Sequence, residues 1–441
     1  MRNSIFTDNF REANFWTEDQ PKTLFNTSDL LPKSADIVVI GSGLTGTSAA
    51  YELAKSGRSV IVLDQGEIGG GASSRNAGML GKGNRQSYLL LKKAAGQTVA
   101  DNYFGELERI YREATDRITG ENFQCDYRPS GRFIGSLRPD FLGRLLKEYE
   151  ARATYLGEKV TLLDHNTAFS TGSQQFYGGV IVEDSAAINP AKYTAAMVTR
   201  AAQAGAQFFS HVRVTGTVRE KDGHHVHTPH GTIFCKNVVM ATNGYSGSEM
   251  PFAYQRLLPI NAYMIATEEL PADLLARLCP NNRTTIDNSR ATRYFQISPD
   301  GKRLIFGARS GRKPLPALSG SLQRVARAIH SDMSYLFPEL AETKISHVWT
   351  GRCAASLDLV PHLGVNNGIH YAIGYSFTGL ALAPYLGRLA ARWILDDKVP
   401  DSVFAQGEFP KLPSYARALR PLSGPVVTRY YAWQDRPVPR A

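Results

Sequence analysis

The amino-acid sequence predicts an α/β chain: a helix-flanked parallel sheet interleaved with an α+β layer of mostly antiparallel strands. Three observations predict it. Residues 35–40 and 59–63 are short apolar strands around a helical segment, 44–56, that carries Leu44, Ala49, Leu53 and Ala54. That is a βαβ unit, and its right-handed crossover calls for a parallel sheet. Residues 207–218, 224–229 and 232–234 alternate like a meander, as do 262–267, 292–297 and 303–309. Parallel and meander signals succeed each other along the chain, so each layer is assembled from several segments.

At 441 residues the chain is long enough for two or three domains. Residues 1–34, polar but rich in aromatics (Phe6, Phe10, Phe15, Trp16, Phe25), read as an arm laid on the body. Residues 35–90, 170–250 and 340–400 are assigned to the parallel domain, and 91–169 with 251–339 to the second. Residues 87–117 and 139–156 read as helices around a short strand within 127–135. Residues 188–205 read as a helix with Pro190 in its first turn and Gly205 at its end. A buried strand at 237–241, a helix at 322–336, a strand at 345–348 and a helix from Gly379 to about Leu395 complete the core. Residues 401–441 form a Pro-rich basic tail.

Composition narrows the function classes. Hydrophobic residues at 43% and charged residues at 20% exclude a disordered or collagen-like chain. The net charge of +10 raises nucleic acid or a membrane surface as partners. Half of that excess sits in residues 411–441, where six basic side chains face Asp435 alone. Such a tail reads as a solvated or wrapping segment, and no nucleic-acid partner is expected. Cys125, Cys235, Cys279 and Cys353 are widely spaced, which argues against a disulfide framework or zinc site and for a reducing cytoplasm. The uncharged stretch 359–387 is punctuated by Pro361, Gly364, Gly368, Gly374, Gly379 and Pro384, which belongs to strands and turns rather than a membrane span. The N-terminus carries acids and no apolar core, so no signal peptide is expected. His224, His225 and His227 beside Asp222-Gly223 read as a turn-flanking surface strand rather than a metal set, and no metal is expected.

The chemistry begins at Gly41-Ser42-Gly43-Leu44-Thr45-Gly46, a G-x-G-x-x-G directly after a strand and opening a helix. Its glycines suit the tight turn, the approach of a pyrophosphate and close helix–strand packing, with phosphate on the helix N-terminus. Asp64, with Gln65 beside it, ends the next strand, where a carboxylate accepts ribose hydroxyls. This fingerprint alone does not separate FAD from NAD.

The loop that follows does. Gly69-Gly70-Gly71-Ala72-Ser73-Ser74-Arg75-Asn76-Ala77-Gly78-Met79 offers small residues against which a flat ring can lie, with Arg and Asn as donors. This loop resembles the G-A-S-x-R-N-x-G loop of the D-amino-acid-oxidase (DAO) family of FAD-dependent oxidoreductases. The resemblance runs from about residue 34 to 395 and rests on further motifs. His211-Val212-Arg213-Val214 is similar to a family strand that touches adenine, which implies Val214. Val238-Val239-Met240-Ala241-Thr242-Asn243-Gly244-Tyr245 resembles the second cofactor strand. Trp349-Thr350-Gly351-Arg352 and Asp358-Leu359-Val360-Pro361-His362-Leu363-Gly364 resemble the W-x-G…D-x-x-P-x-x-G signature. Gly374-Tyr375-Ser376-Phe377-Thr378-Gly379-Leu380 resembles the family's G-x-S-G-H-G-x, which starts the last helix beneath the flavin pyrimidine. Within the family the overall look is that of γ-glutamylputrescine oxidoreductases.

The resemblance implies a Rossmann-like FAD-binding domain, non-covalent FAD, a small-molecule amine substrate, and O2 or another electron acceptor. It implies hydride transfer from the carbon beside nitrogen, then imine hydrolysis. Departures bear on the substrate. Ala381 stands where sarcosine-type members place a carboxylate-binding Lys, and Ile305 where some oxidases carry an oxygen-activating Lys. Tyr294-Phe295-Gln296 replaces a Y-Y-R pattern, and Phe377-Thr378 a Gly-His pair. Cys353 lies two residues past Gly351, the position nearer the family's covalent cysteine. Tyr294, Arg309 and Thr378 are the expected catalytic residues, and Tyr263, Tyr294, Gln296 and Phe377 the expected substrate pocket. Oxidation of a sarcosine-type substrate or D-amino acid, and flavin binding without turnover, are the alternatives.

Overall fold

The structure, a computed structural model, describes residues 4–18, 31–168, 171–310 and 321–414. Phe25 and most of the basic tail lie outside the described residues.

Two large sheets carry the fold. The first has the spatial order Gly216–Glu220, Gly223–Thr228, Gly231–Met240, Ser34–Ile40, Val60–Leu63, Gln207–Phe209. Its centre is parallel, with Val38 opposite Ile61 on one side and Val238 on the other. These strands read as near-continuous apolar runs because both faces are covered. Ile369–Ile373 joins the end of Gly231–Met240 in parallel and forms a hairpin with His362–Asn366. On one face pack helices Leu44–Lys55, Gln97–Gly120, Pro190–Gln203 and Gly379–Asp396, burying Val39, Val62, Leu53 and Leu386. The first and last of these touch directly: Ser48 donates to the Pro384 carbonyl oxygen at 2.6 Å.

The second sheet is nine-stranded and mixed, mostly antiparallel. Its order is Phe6–Arg11, Ile345–Ala355, Leu258–Thr267, Leu304–Ala308, Tyr294–Ile297, Thr284–Asp287, Arg132–Ser136, Gly178–Val182, Val160–Leu163. Helix Ser321–Leu336 covers one face, over a core that includes Phe295 and Phe306, stacked 5.5 Å apart, and Ile329.

Several expectations are corrected. The arm is part of this sheet: Phe6–Arg11 pairs in parallel with Ile345–Ala355. Strands Gly178–Val182 and Ile345–Ala355, drawn from segments assigned to the parallel domain, also belong to the nine-stranded sheet. The helix expected at 87–117 is two, Tyr88–Ala95 and Gln97–Gly120, broken where Gly96 takes φ +91°. Residues 211–214 are not a strand. His211 adopts φ +58°, and Val212 donates its N–H to the Asp64 carbonyl oxygen. His224, expected at the surface, is buried. The tail packs at its start, with Phe404 and Phe409 buried and Phe409 stacked 4.2 Å from His362. Among the described residues no helix is long and apolar enough to cross a membrane.

Candidate active site

Between the two sheets lies a cavity of about 830 Å³. Its floor is the G-x-G turn. Gly41 takes φ +100° and lies so close to the second cofactor strand that a Cβ would come within 2.9 Å of the Ala241 carbonyl oxygen. Gly46 is sealed inside the turn, where a Cβ would overlap the Gly41 carbonyl, so it packs the helix while Gly41, Gly43, Leu44 and Thr45 face the cavity. Gly43 is the N-cap of Leu44–Lys55 and provides no side-chain cap, nor is there an acid in the first turn. By contrast Ser87 and Asn189 cap their own helices. Beyond Leu44, the first-turn N–H groups at Gly43 stay available to an anion. The Leu44 N–H is given to Ser73 Oγ at 2.9 Å.

Asp64 and Gln65 line the cavity. The Asp64 carboxylate accepts from the Ser42 N–H (2.9 Å), the Ser42 hydroxyl (2.6 Å) and the Gly66 N–H (3.0 Å). It therefore braces the turn while lining the cavity, as Val214 does.

The loop after the second strand is fastened from three sides. Arg75 donates to the Gly70 carbonyl (2.7 Å), and Asn76 Nδ2 to that of Ser73 (2.8 Å). From the arm, Asn14 donates to the Ser74 carbonyl and Trp16 Nε1 to that of Asn76, both at 2.9 Å. Trp349 Nε1 reaches the Arg75 carbonyl at 3.1 Å. Gly71, Ala72, Ser73, Arg75, Asn76, Ala77 and Met79 line the cavity, whereas Ser74 is buried behind them and Gly78 packs under Ile188.

The second cofactor strand brings Ala241, Thr242 and Asn243 to the cavity. Asn243 Oδ1 accepts the Gly374 N–H at 3.0 Å. Gly244 and Gly374 are packing positions: a Cβ on Gly244 would meet the Cys353 carbonyl oxygen at 2.6 Å. Gly351, Tyr375, Phe377, Thr378, Gly379 and Leu380 line the wall above. Thr378 is the N-cap of Gly379–Asp396, and its hydroxyl turns back to the Tyr375 carbonyl (2.7 Å). This helix start is also uncapped and free of acids. Two helix N-termini without caps from their own N-cap residues thus converge on this cavity, a field suited to diphosphate and to a reduced flavin. These residues fit FAD.

The opposite wall comes from Leu258–Thr267, of which Leu258, Ile260, Ala262 and Met264 face the cavity. Tyr294 joins them, its ring lying across Gly307, and burial holds its phenol above the ordinary tyrosine range. Ser376 and Phe377 both take positive φ (+48° and +73°), an uncommon backbone for such residues. The Phe377 ring lies 5.3 Å from the Arg85 guanidinium, which donates to the Ser376 carbonyl at 3.1 Å.

Three expected residues are elsewhere. Tyr263 is fully buried on the opposite face of its strand, because alternation sends odd positions there toward helix Ser321–Leu336. Gln296 is spent on the loop, donating to the Ala77 carbonyl and receiving from Arg128 Nη2 at 3.5 Å. Arg309 forms a bidentate pair with Asp332, with Nη2 at 2.6 Å from Oδ1. Its φ of +59° breaks the strand's alternation and swings the side chain out of the site. The cavity adds Arg85, Arg132, Tyr149, Asp287 and Cys353, which the motifs did not point to. Of the expected pocket, Tyr294 and Phe377 do line the cavity, while the row from Leu258 to Met264 was signalled only by the alternation of its strand.

The chain belongs to the DAO family of FAD-dependent oxidoreductases, whose pattern it matches over residues 36–393. It is 29% identical to a probable oxidoreductase OrdL of Haemophilus influenzae, over 91% of this chain and 92% of that one. It is 28% identical to the γ-glutamylputrescine oxidoreductase of Escherichia coli, over 91% and 93% respectively. Among solved structures, glycine oxidase from Geobacillus kaustophilus shares the fold with a TM-score of 0.69 at 19% identity, covering 86% of this chain and 99% of that one. The protein is therefore an FAD-dependent oxidoreductase.

Proposed function

We propose that this protein oxidises the C–N bond of an amine lacking an α-carboxylate, with FAD held non-covalently. The observation that carries this reading is the asymmetry of the cavity. Two uncapped helix N-termini form one side, and the apolar row Leu258, Ile260, Ala262 and Met264 with Tyr294 forms the other. The similarity to a γ-glutamylputrescine oxidoreductase supports an amine. FAD, when bound, supplies the hydride acceptor.

The chain's own residues then bind and orient. The apolar row and Tyr294 exclude water and favour the neutral amine, and the helix start at Thr378–Leu380 stabilises negative charge beside it. Tyr294 and Thr378 keep their proposed catalytic places, but Arg309 does not, since Asp332 already holds it. Ala381 lines the cavity and Ile305 is buried, so neither position supplies a cation. With neither in place, an α-carboxylate would depend on Arg85, whose guanidinium already lies over the Phe377 ring and donates to the Ser376 carbonyl, and burying it without a full partner costs several kcal/mol. Non-covalent attachment is supported by Cys353. Its thiol donates to the Ile260 carbonyl at 3.2 Å, and burial pushes its pKa up to about 12, so it is not a thiolate. A cytoplasmic location is supported by four cysteines that are all free. Reoxidation is by O2 or another acceptor, and no nucleic acid takes part.

The test is anaerobic mixing of the yellow protein with simple amines and with their α-carboxylated counterparts. Amines should bleach the flavin faster, and acid should release FAD into solution. Faster reduction by sarcosine or a D-amino acid than by every amine would replace this reading with an amino-acid oxidase.

A further inference from the structure

The cavity extends past the flavin loop into a lobe made by Arg132–Ser136 and Thr284–Asp287, parallel neighbours with Arg132 opposite Thr284. Arg132 is half-buried there and lines the cavity. It donates Nε to Thr284 Oγ1 and Nη2 to the Leu80 carbonyl, both at 3.3 Å and both to neutral acceptors. Its titratable neighbours are Tyr149 and Tyr111, and among the described residues it has no carboxylate partner.

Three other cations nearby are matched by carboxylates. Arg152 pairs with Glu158 (2.8 Å), Lys82 with Asp184 (2.8 Å), and Arg293 with Asp287 (3.0 Å). A guanidinium has five donors, and two long bonds to neutral oxygens leave Arg132 with capacity and charge to spare. Burial accordingly holds its pKa below the ordinary guanidinium range. The way in is open at Gly81, itself on the cavity wall. A Cβ there would come within 3.3 Å of Arg132 Nη2, so a larger residue would crowd the guanidinium. Ile134, Ile286 and Tyr149 line the same lobe, a surface for methylene groups.

We propose that Arg132 seats a carboxylate carried by the substrate at the end remote from the oxidised C–N bond. The remoteness follows from the strand Met79–Gly81. Gly81 stands two residues beyond Met79 in the flavin loop, about 7 Å along an extended chain. A single guanidinium balances a single negative charge, and its planar fork matches a carboxylate bidentately. The substrate class is thus an amine with a spaced carboxylate, which leaves the reacting carbon free of one. This rests on the amine reading above and makes it narrower.

The probes are hexylamine, 6-aminohexanoate and non-oxidisable glutarate, with the holoprotein, Arg132→Gln and Arg132→Lys. In wild type, 6-aminohexanoate should reach half-saturation of flavin reduction at a concentration at least about tenfold below hexylamine, the scale of a charged hydrogen bond. Arg132→Gln should abolish that preference by weakening 6-aminohexanoate alone, with the limiting reduction rate and hexylamine unchanged. Glutarate should raise the Tm of wild type and leave that of Arg132→Gln where it is. If Arg132→Gln fails to fold, Arg132→Lys, which keeps charge but not the fork, should lose the preference several-fold. A preference that survives in the variants, equal stabilisation of wild type and Arg132→Gln by glutarate, or an equal loss for hexylamine would overturn the assignment. Flavin that no amine reduces would instead remove the amine reading, while the glutarate arm still decides Arg132.

Discussion

The phenol oxygen of Tyr375 stands 2.7 Å from Oγ1 of Thr45, a hydrogen bond between residues 330 positions apart. Thr45 is in the first turn of one bare helix, and Tyr375 lies just before the start of the other. The Tyr375 proton is directed to the Ala372 carbonyl at 3.1 Å, which leaves Thr45 as donor. This bond ties the two helix starts together. Tyr375→Phe should cost about 1–3 kcal/mol by leaving buried partners unmatched. Urea unfolding of the holoprotein measures that loss, and FAD should dissociate faster than from wild type. An unchanged dissociation rate would show that the two starts are held together elsewhere.

The arm holds the flavin loop through Trp16, which is 2% exposed and sits edge-on to Trp349 at 6.3 Å. Trp16→Ala should destabilise by about 3–5 kcal/mol, the range for a large aromatic removed from a core. Trp16→Phe, which keeps most of the volume but loses the bond to the Asn76 carbonyl, should cost less and still weaken FAD binding. Thermal unfolding with a parallel FAD titration separates the two effects.

His370 gives the fold an acid-sensitive point. It is buried against Trp393, its Nδ1 has no partner, and burial followed by the charge of His224 pushes its pKa from 6.5 down to about 4. Below pH 6.5 the unfolded chain takes up this proton before the folded one does. Stability should therefore fall as the pH drops from about 6.5 to 4, by up to about 3 kcal/mol from this group. His370→Gln should flatten that part of a Tm-against-pH curve. An identical slope in the variant would assign the acid sensitivity to other groups.

The cofactor half was far more legible in the sequence than the substrate half, for a physical reason. Phosphate and flavin are met by backbone, so the demand falls on glycines and small residues at fixed spacing, as in Gly41–Gly46 and Gly69–Gly78. Substrate is met by side chains on strands, where a shift of one position exchanges wall for core. Tyr263 was lost on that parity, while its neighbours Ala262 and Met264 line the cavity. Arg309 has the parity of Gly307, yet its left-handed backbone overrides it. Arg132 carries no motif. Its proposed role depends on the absence, among the described residues, of a paired acid, which only the packing of distant segments reveals.

The pairing of Thr45 with Tyr375 also has a bearing on biosynthesis. One pole of the cofactor cradle leaves the ribosome early, and the other follows 330 residues later. Contacts of such long sequence separation form late and slowly. A nascent chain therefore exposes its dinucleotide turn well before it can grip the flavin from both ends. Cofactor capture must wait for the second helix start, and the growing chain has to reach Gly379–Asp396 without that ligand's help.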